Sequence, residues 1–96
     1  MSPINLKKVA LLRKKIDLLD NQMFKIIVKR TFVVQQVLKL KTSKKEIIDR
    51  ARIKKILQKI RRKSKMNKID VKITNNIWKN IIWSYINFEK RNFKKK

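Results

Sequence analysis

Four basic residues stand where apolar ones are expected. Arg30 lies between Ile26/Ile27 and Val33/Val34, and Lys41 continues that row from Val37. Arg52 sits four residues from both Ile48 and Ile56, and Arg13 flanks the start of the first row. Burying a charge is costly unless something pairs with it. A long stem lying on the core with its head in water accounts for one such residue. Four of them, in a chain with 29 Lys+Arg against 6 Asp+Glu, point to a buried anion site. Of the acids, Glu46 and Asp70 suit helix starts, and Asp17 and Asp20 can pair along the first helix. Asp49 suits the first turn of a second helix, where a carboxylate meets the positive end of the dipole. Glu89 has no such role. It extends the row Trp78, Ile82, Tyr85 and is expected to point inward, where a nearby Lys or Arg can neutralise it.

The elements that must position these residues read as helical. There is no glycine, the only proline is Pro3, and no Asn-Gly or Asp-Gly pair is present to turn a hairpin. The fold class is therefore all-α, with one long and two shorter helices. The first runs from about Ile4 to Lys41, carrying Leu12, Ile16, Leu19, Met23, Ile26/Ile27, Val33/Val34 and Val37 at helical spacing. A helix of that length is roughly 55 Å long, against roughly 30 Å across a small domain. A second copy of the chain is the simplest cover for its stripe. Ser43 with Glu46 has the form of a capping box and predicts the second helix, running to about Lys65. Ser64 to Lys68 reads as a loop. Asp70 caps a third helix over about Val71 to Asn92, and Lys90 to Lys96 reads as a frayed basic tail. No internal domain boundary is evident, so residues 1–96 are expected to form a single domain.

Helical geometry constrains the site. Arg13 and Arg30 are 17 residues apart, roughly 25 Å along one axis, so they cannot grip one small anion within a chain. Arg30 and Lys41 are nearly in phase and roughly 16 Å apart, within reach of two converging long side chains. If Arg13 takes part, it comes from the partner of an antiparallel dimer.

The formal net charge is +23, which raises nucleic-acid binding. The same chain has 22 Lys but 7 Arg, with 15 Ile, 8 Asn and 2 Ala. Those biases travel together in AT-rich coding sequence, so solvated helix faces account for much of the charge. Aromatics do not alternate with cations along the chain as a stacking platform requires, so nucleic acid is not the expected partner. No apolar run approaches the roughly 20 residues of a membrane span. No secretory leader is evident, and the cytoplasm is the expected location. Without cysteine or histidine there is no thiolate metal site and the commonest general base and zinc ligand is missing; no metal or cofactor is expected.

The segment Leu12-Arg13-Lys14-Lys15-Ile16-Asp17-Leu18-Leu19-Asp20, then Lys29-Arg30, Lys41, Asp49-Arg50-Ala51-Arg52 and Ile81-Ile82 to Glu89 resembles the all-helical chorismate mutases over about residues 6 to 92. The resemblance implies an intertwined homodimer and the rearrangement of chorismate to prephenate in aromatic amino-acid biosynthesis. That pericyclic step needs no nucleophile and no proton transfer. It implies that Arg30 and, across the dimer, Arg13 hold the substrate carboxylates. Lys41 and Glu89 take the positions beside the ether oxygen, Arg52 is the site's third arginine, and Asp49 lies near the substrate hydroxyl. There are departures. Ile53 stands where the family has a hydroxyl-binding glutamate, Tyr85 where serine is frequent, and Glu89 where a glutamine donates to the ether oxygen. An aliphatic residue at the Ile53 position, the spacing from Lys41 through Leu57 and the segment Ile81 to Ile86 resemble the related isochorismate pyruvate lyases. Retained Asp49 and the missing glutamine at position 89 speak against the lyase. A non-catalytic basic binding module is the remaining alternative.

Overall fold

Pro3 opens the first helix, where its missing N–H would have no partner in any case. Ser2 precedes it, and its Oγ accepts from the Asn5 backbone N–H at 3.2 Å. In the computed structural model, which describes residues 1–95, α1 then runs unbroken over Pro3–Leu40. A short 3₁₀ turn over Lys44–Glu46 follows, then α2 over Arg50–Met66 and α3 over Val71–Asn92. No strand occurs among the described residues, so the all-helical expectation holds. The chain divides into two compact units, Met1–Val33 and Val34–Lys96. The first is helix alone, and nearly all its side chains are exposed. The second contains the end of α1, the turn, α2 and α3.

The second helix does not begin at Ser43. Ser43 makes no side-chain capping bond, and only the 3₁₀ turn follows it. The cap of α2 is Asp49, whose carboxylate accepts from the Arg52 N–H at 3.0 Å. Glu46 instead reaches back to Thr42, accepting from its hydroxyl at 2.7 Å and its backbone N–H at 3.4 Å. Those bonds, the hydroxyl's first, hold the exposed Glu46 carboxyl below its ordinary titration range. An aspartate one residue before a helix satisfies an orphan N–H directly. That bond, together with Ile47 packing into the core from the turn, outweighs the Ser43 pattern.

The other end of α2 also differs from the sequence reading. Ser64 is helical and buried, not part of a loop. Its hydroxyl donates to the Ile60 carbonyl at 2.7 Å and lies 2.6 Å from the Thr74 hydroxyl of α3. The Thr74 hydroxyl also lies 3.3 Å from the Val71 carbonyl, and either hydroxyl can be the donor between the two. The helix ends in a Schellman motif. The Ile69 N–H donates to the Ser64 carbonyl at 2.9 Å, and the Lys68 N–H to the Lys65 carbonyl at 3.2 Å. The motif requires a left-handed residue, and with no glycine in the chain it falls to Lys68, at φ 55°.

Asp70 caps α3 as expected, accepting from the Lys72 N–H at 2.9 Å. Ile82 and Ile86 of α3 bury themselves against Ile47, with Ile48, Ile53, Ile56, Leu57 and Phe93 packed around them. Phe93 therefore belongs to this core and not to a frayed tail. The helix persists through Lys90 to Asn92, and irregular chain begins at Phe93. Lys96 lies outside the described residues.

A β-carbon in the left-handed region costs about 1 kcal/mol. Lys68→Gly is expected to raise stability by about that amount, read as a higher denaturation midpoint, while Lys68→Ala leaves it nearly unchanged. A lower midpoint for Lys68→Gly would show that this backbone carries no strain.

Candidate functional site

Lys41 and Glu89 stand 48 residues apart in sequence and meet in the second unit. The Lys41 Nζ donates to Glu89 Oε1 at 2.8 Å, an ion pair with its carboxylate 8% and its ammonium side chain 18% exposed. Each is placed by packing. Lys41 follows the last turn of α1, held where its backbone N–H reaches the Leu38 carbonyl at 3.1 Å. Leu38, three residues earlier, is buried. Glu89 follows Ile82 and Ile86 on α3, and the buried position of those two isoleucines turns its carboxylate inward. A carboxylate this buried costs several kcal/mol unless it is paired, and Lys41 supplies the pairing. The inward direction expected for Glu89 is thus observed.

The other site candidates of this unit have distinct surroundings. Asp49 joins Lys41, Glu46 and Ile48 in lining an open depression of about 590 Å³. Asp49 also caps α2, so one of its oxygens is held by the Arg52 N–H. The Arg52 side chain is exposed, not buried on the Ile48–Ile56 row. Starting α2 at Arg50 instead of Ser43 removes Ile48 from the helix, and with it the continuous stripe that was to carry Arg52 inward. Tyr85, one turn before Glu89 on α3, is half-buried, its ring edge-on to Phe88 at 6.4 Å and 82°. Ile53 packs on the Ile47, Ile82 and Ile86 cluster, so its position is apolar in surroundings as well as in type.

Arg13 and Arg30 both lie on the portion of α1 in the first unit. Arg13 is exposed and Arg30 half-buried. Glu46 was read as a helix start only, yet it lines the depression beside Lys41. The signal was Thr42, four residues before it, whose hydroxyl can bond its carboxylate.

The Lys41–Glu89 pair can be tested through stability. Lys41→Met strands a buried carboxylate and is expected to cost about 3 kcal/mol. Adding Glu89→Gln removes that charge, and the double variant is expected to recover more than half of the loss in a denaturant titration. Additive effects would show that the two side chains do not depend on each other.

These residues fall within a stretch that can be compared with known families. Residues 12–90 match the chorismate mutase type II family, spanning Arg13 through Glu89. Comparison with curated proteins and with solved structures returns no match. The matched stretch takes in all of α2, most of α1 and α3 and every candidate described above, and on that extent the chain belongs to the chorismate mutase type II family.

Proposed function

We propose that this chain is a chorismate mutase that rearranges chorismate to prephenate with no covalent intermediate. The observation that carries this reading is the ion pair of Lys41 with Glu89, inside the family-matched stretch, with Lys41 lining a polar depression of mixed charge. In the rearrangement the ether C–O bond breaks as a C–C bond forms, and the ether oxygen gains negative charge in the transition state. An ammonium held in place beside that oxygen stabilises the charge as it develops. Arg30 and Arg13 hold the two carboxylates, and the site acts by orienting a reactive conformer. Asp49 and Arg52 complete the polar lining, with Tyr85 beside Glu89. No helix among the described residues is long and apolar enough to cross a membrane.

The working unit in this reading is a homodimer. Leu12, Ile16, Leu19 and Met23 are each more than half exposed in the single chain. A continuous apolar stripe of that length on a helix marks an interaction surface. A second α1 would cover it, and an antiparallel arrangement would bring one chain's Arg13 toward the other's Arg30. Complementation tests this. Arg13→Ala and Arg30→Ala chains are each expected to be inactive, and mixing them is expected to restore about one working site per heterodimer. Continued inactivity despite proven subunit exchange would exclude a shared site.

Glu89 accepts only, so it would repel an ether oxygen that is gaining negative charge, and it neutralises part of the Lys41 field. A neutral amide at that position can donate and leaves Lys41 free for substrate. Glu89→Gln is therefore expected to preserve or raise turnover at neutral pH. A much slower Glu89→Gln enzyme would instead make Glu89 the group that positions Lys41.

A second reading, isochorismate pyruvate lyase activity, is favoured by one observation. Ile53 packs into the apolar cluster, so that position offers no carboxylate for a substrate hydroxyl. Offering each substrate to the purified protein and identifying the product separates the two.

A further inference from the structure

Beside the depression lined by Lys41, and sharing Arg50 with it, the α2–α3 pair carries a second concave feature. It is a groove of about 480 Å³ whose α2 wall presents Arg50, Lys54 and Arg61. Two amide side chains, Gln58 of α2 and Asn75 of α3, face the same space, and Trp83 of α3 closes it. Ile53 and Leu57 form an apolar floor. No acidic residue lines it. Trp83 is 42% exposed, although a tryptophan on an amphipathic helix would ordinarily turn its ring into the core.

The α2 wall has a regular spacing. Arg50, Lys54, Gln58, Arg61 and Lys65 recur every three or four residues, so they form one row along the helix. The row spans 15 residues, roughly 22 Å. Arg52 lies two residues beyond Arg50, about 200° around the helix, and so faces away from the row. Nine of the 17 residues of α2 are basic and none is acidic. Among the described residues no ion pair reaches this row, and it runs beside a half-exposed indole.

Along the chain, aromatics do not alternate with cations. Packing α2 on α3 brings them together: Trp83 comes from one helix and the cations from the other. We propose that this groove binds single-stranded nucleic acid, with phosphates along the α2 row and a base stacked on Trp83. Three features select this polyanion. The positive row continues beyond the groove to Lys65, which suits a strand more than a compact anion. The exposed indole offers a π-face that any base can cover. Gln58 and Asn75 carry paired donors and acceptors suited to a base edge. An acidic peptide would use the cations but has no need of the indole or the amides. Nucleic acid was not the partner expected from the linear sequence, which does not display this cross-helix juxtaposition.

The test uses the full-length protein and a fluorescein-labelled 12-mer of oligouridylate, with binding followed by anisotropy over a range of salt. Trp83→Ala is expected to weaken binding about tenfold, and Trp83→Phe, which keeps a stacking ring, to recover most of the loss. The double variant Lys54→Gln with Arg61→Gln is expected to weaken binding and to lower the slope of log affinity against log salt by about 1.4, two single-strand phosphate contacts. Helical circular dichroism and chorismate turnover are expected to be unchanged in all three, which separates this surface from the catalytic reading. Three results would overturn the proposal. One is binding that none of the three variants alters, which would assign it to diffuse charge. Another is an abasic 12-mer binding as tightly as oligouridylate. The third is polyglutamate binding as tightly and with the same dependence on Trp83, which would make the partner an acidic protein segment.

Discussion

The arrangement of the second unit depends on a carboxylate that cannot remain buried alone. Glu89 lies one turn beyond Ile86 on a helix whose inward face is fixed by isoleucines packing on Ile47. Rotating α3 to expose Glu89 would expose Ile82 and Ile86 with it, at about 1.5–3 kcal/mol per large aliphatic side chain. Keeping α3 in place requires a cation at the carboxylate. Lys41 meets that need at 2.8 Å, and in doing so it ties the end of α1 to the last turns of α3. The groups proposed to act on substrate are thus already in contact before substrate arrives, and an incoming anion must compete with Glu89 for the same ammonium.

The scarcity of acids gives that contact its weight. Four of the six are in the second unit, and each has an identified polar partner there. Glu46 accepts from Thr42, Asp49 and Asp70 cap helices, and Glu89 holds Lys41. The many cations around them have few carboxylates left to pair with. The unopposed row along α2 follows directly from this distribution, whereas the depression at Lys41 holds two of the four acids, Glu46 and Asp49.

Helix type and the extent of α1 and α3 were legible in the sequence because long apolar periodicity and a clean Asp70 cap leave little competition. The direction of Glu89 was legible for the same reason: phase on a long helix transmits burial reliably from Ile82 and Ile86. The start of α2 was not. Ser43 and Asp49 are both good capping residues, and the choice between them depends on Ile47 reaching the core from a turn, a tertiary fact. Ser64 reads as a loop residue because serine is polar, and only the packed hydroxyl of Thr74 explains its burial. Arg52 was placed inward by extending a helical row through Ile48, which lies outside the helix. The pairing of Lys41 with Glu89, over the neighbouring arginines, depends on how α1 ends and has no signature in the spacing.

The Ser64–Thr74 contact joins residues only ten apart in sequence. With the Schellman turn between them, it makes α2 and α3 a hairpin whose contacts close short loops. Such loops close quickly, because little chain entropy is lost. Condensation of this hairpin is a unimolecular event, independent of protein concentration. The apolar stripe of α1 finds no cover within its own unit, so satisfying it by a second chain is a bimolecular event whose rate rises with concentration. In the proposed homodimer, refolding would then combine two processes of different kinetic order, and only the second would slow as the protein is diluted.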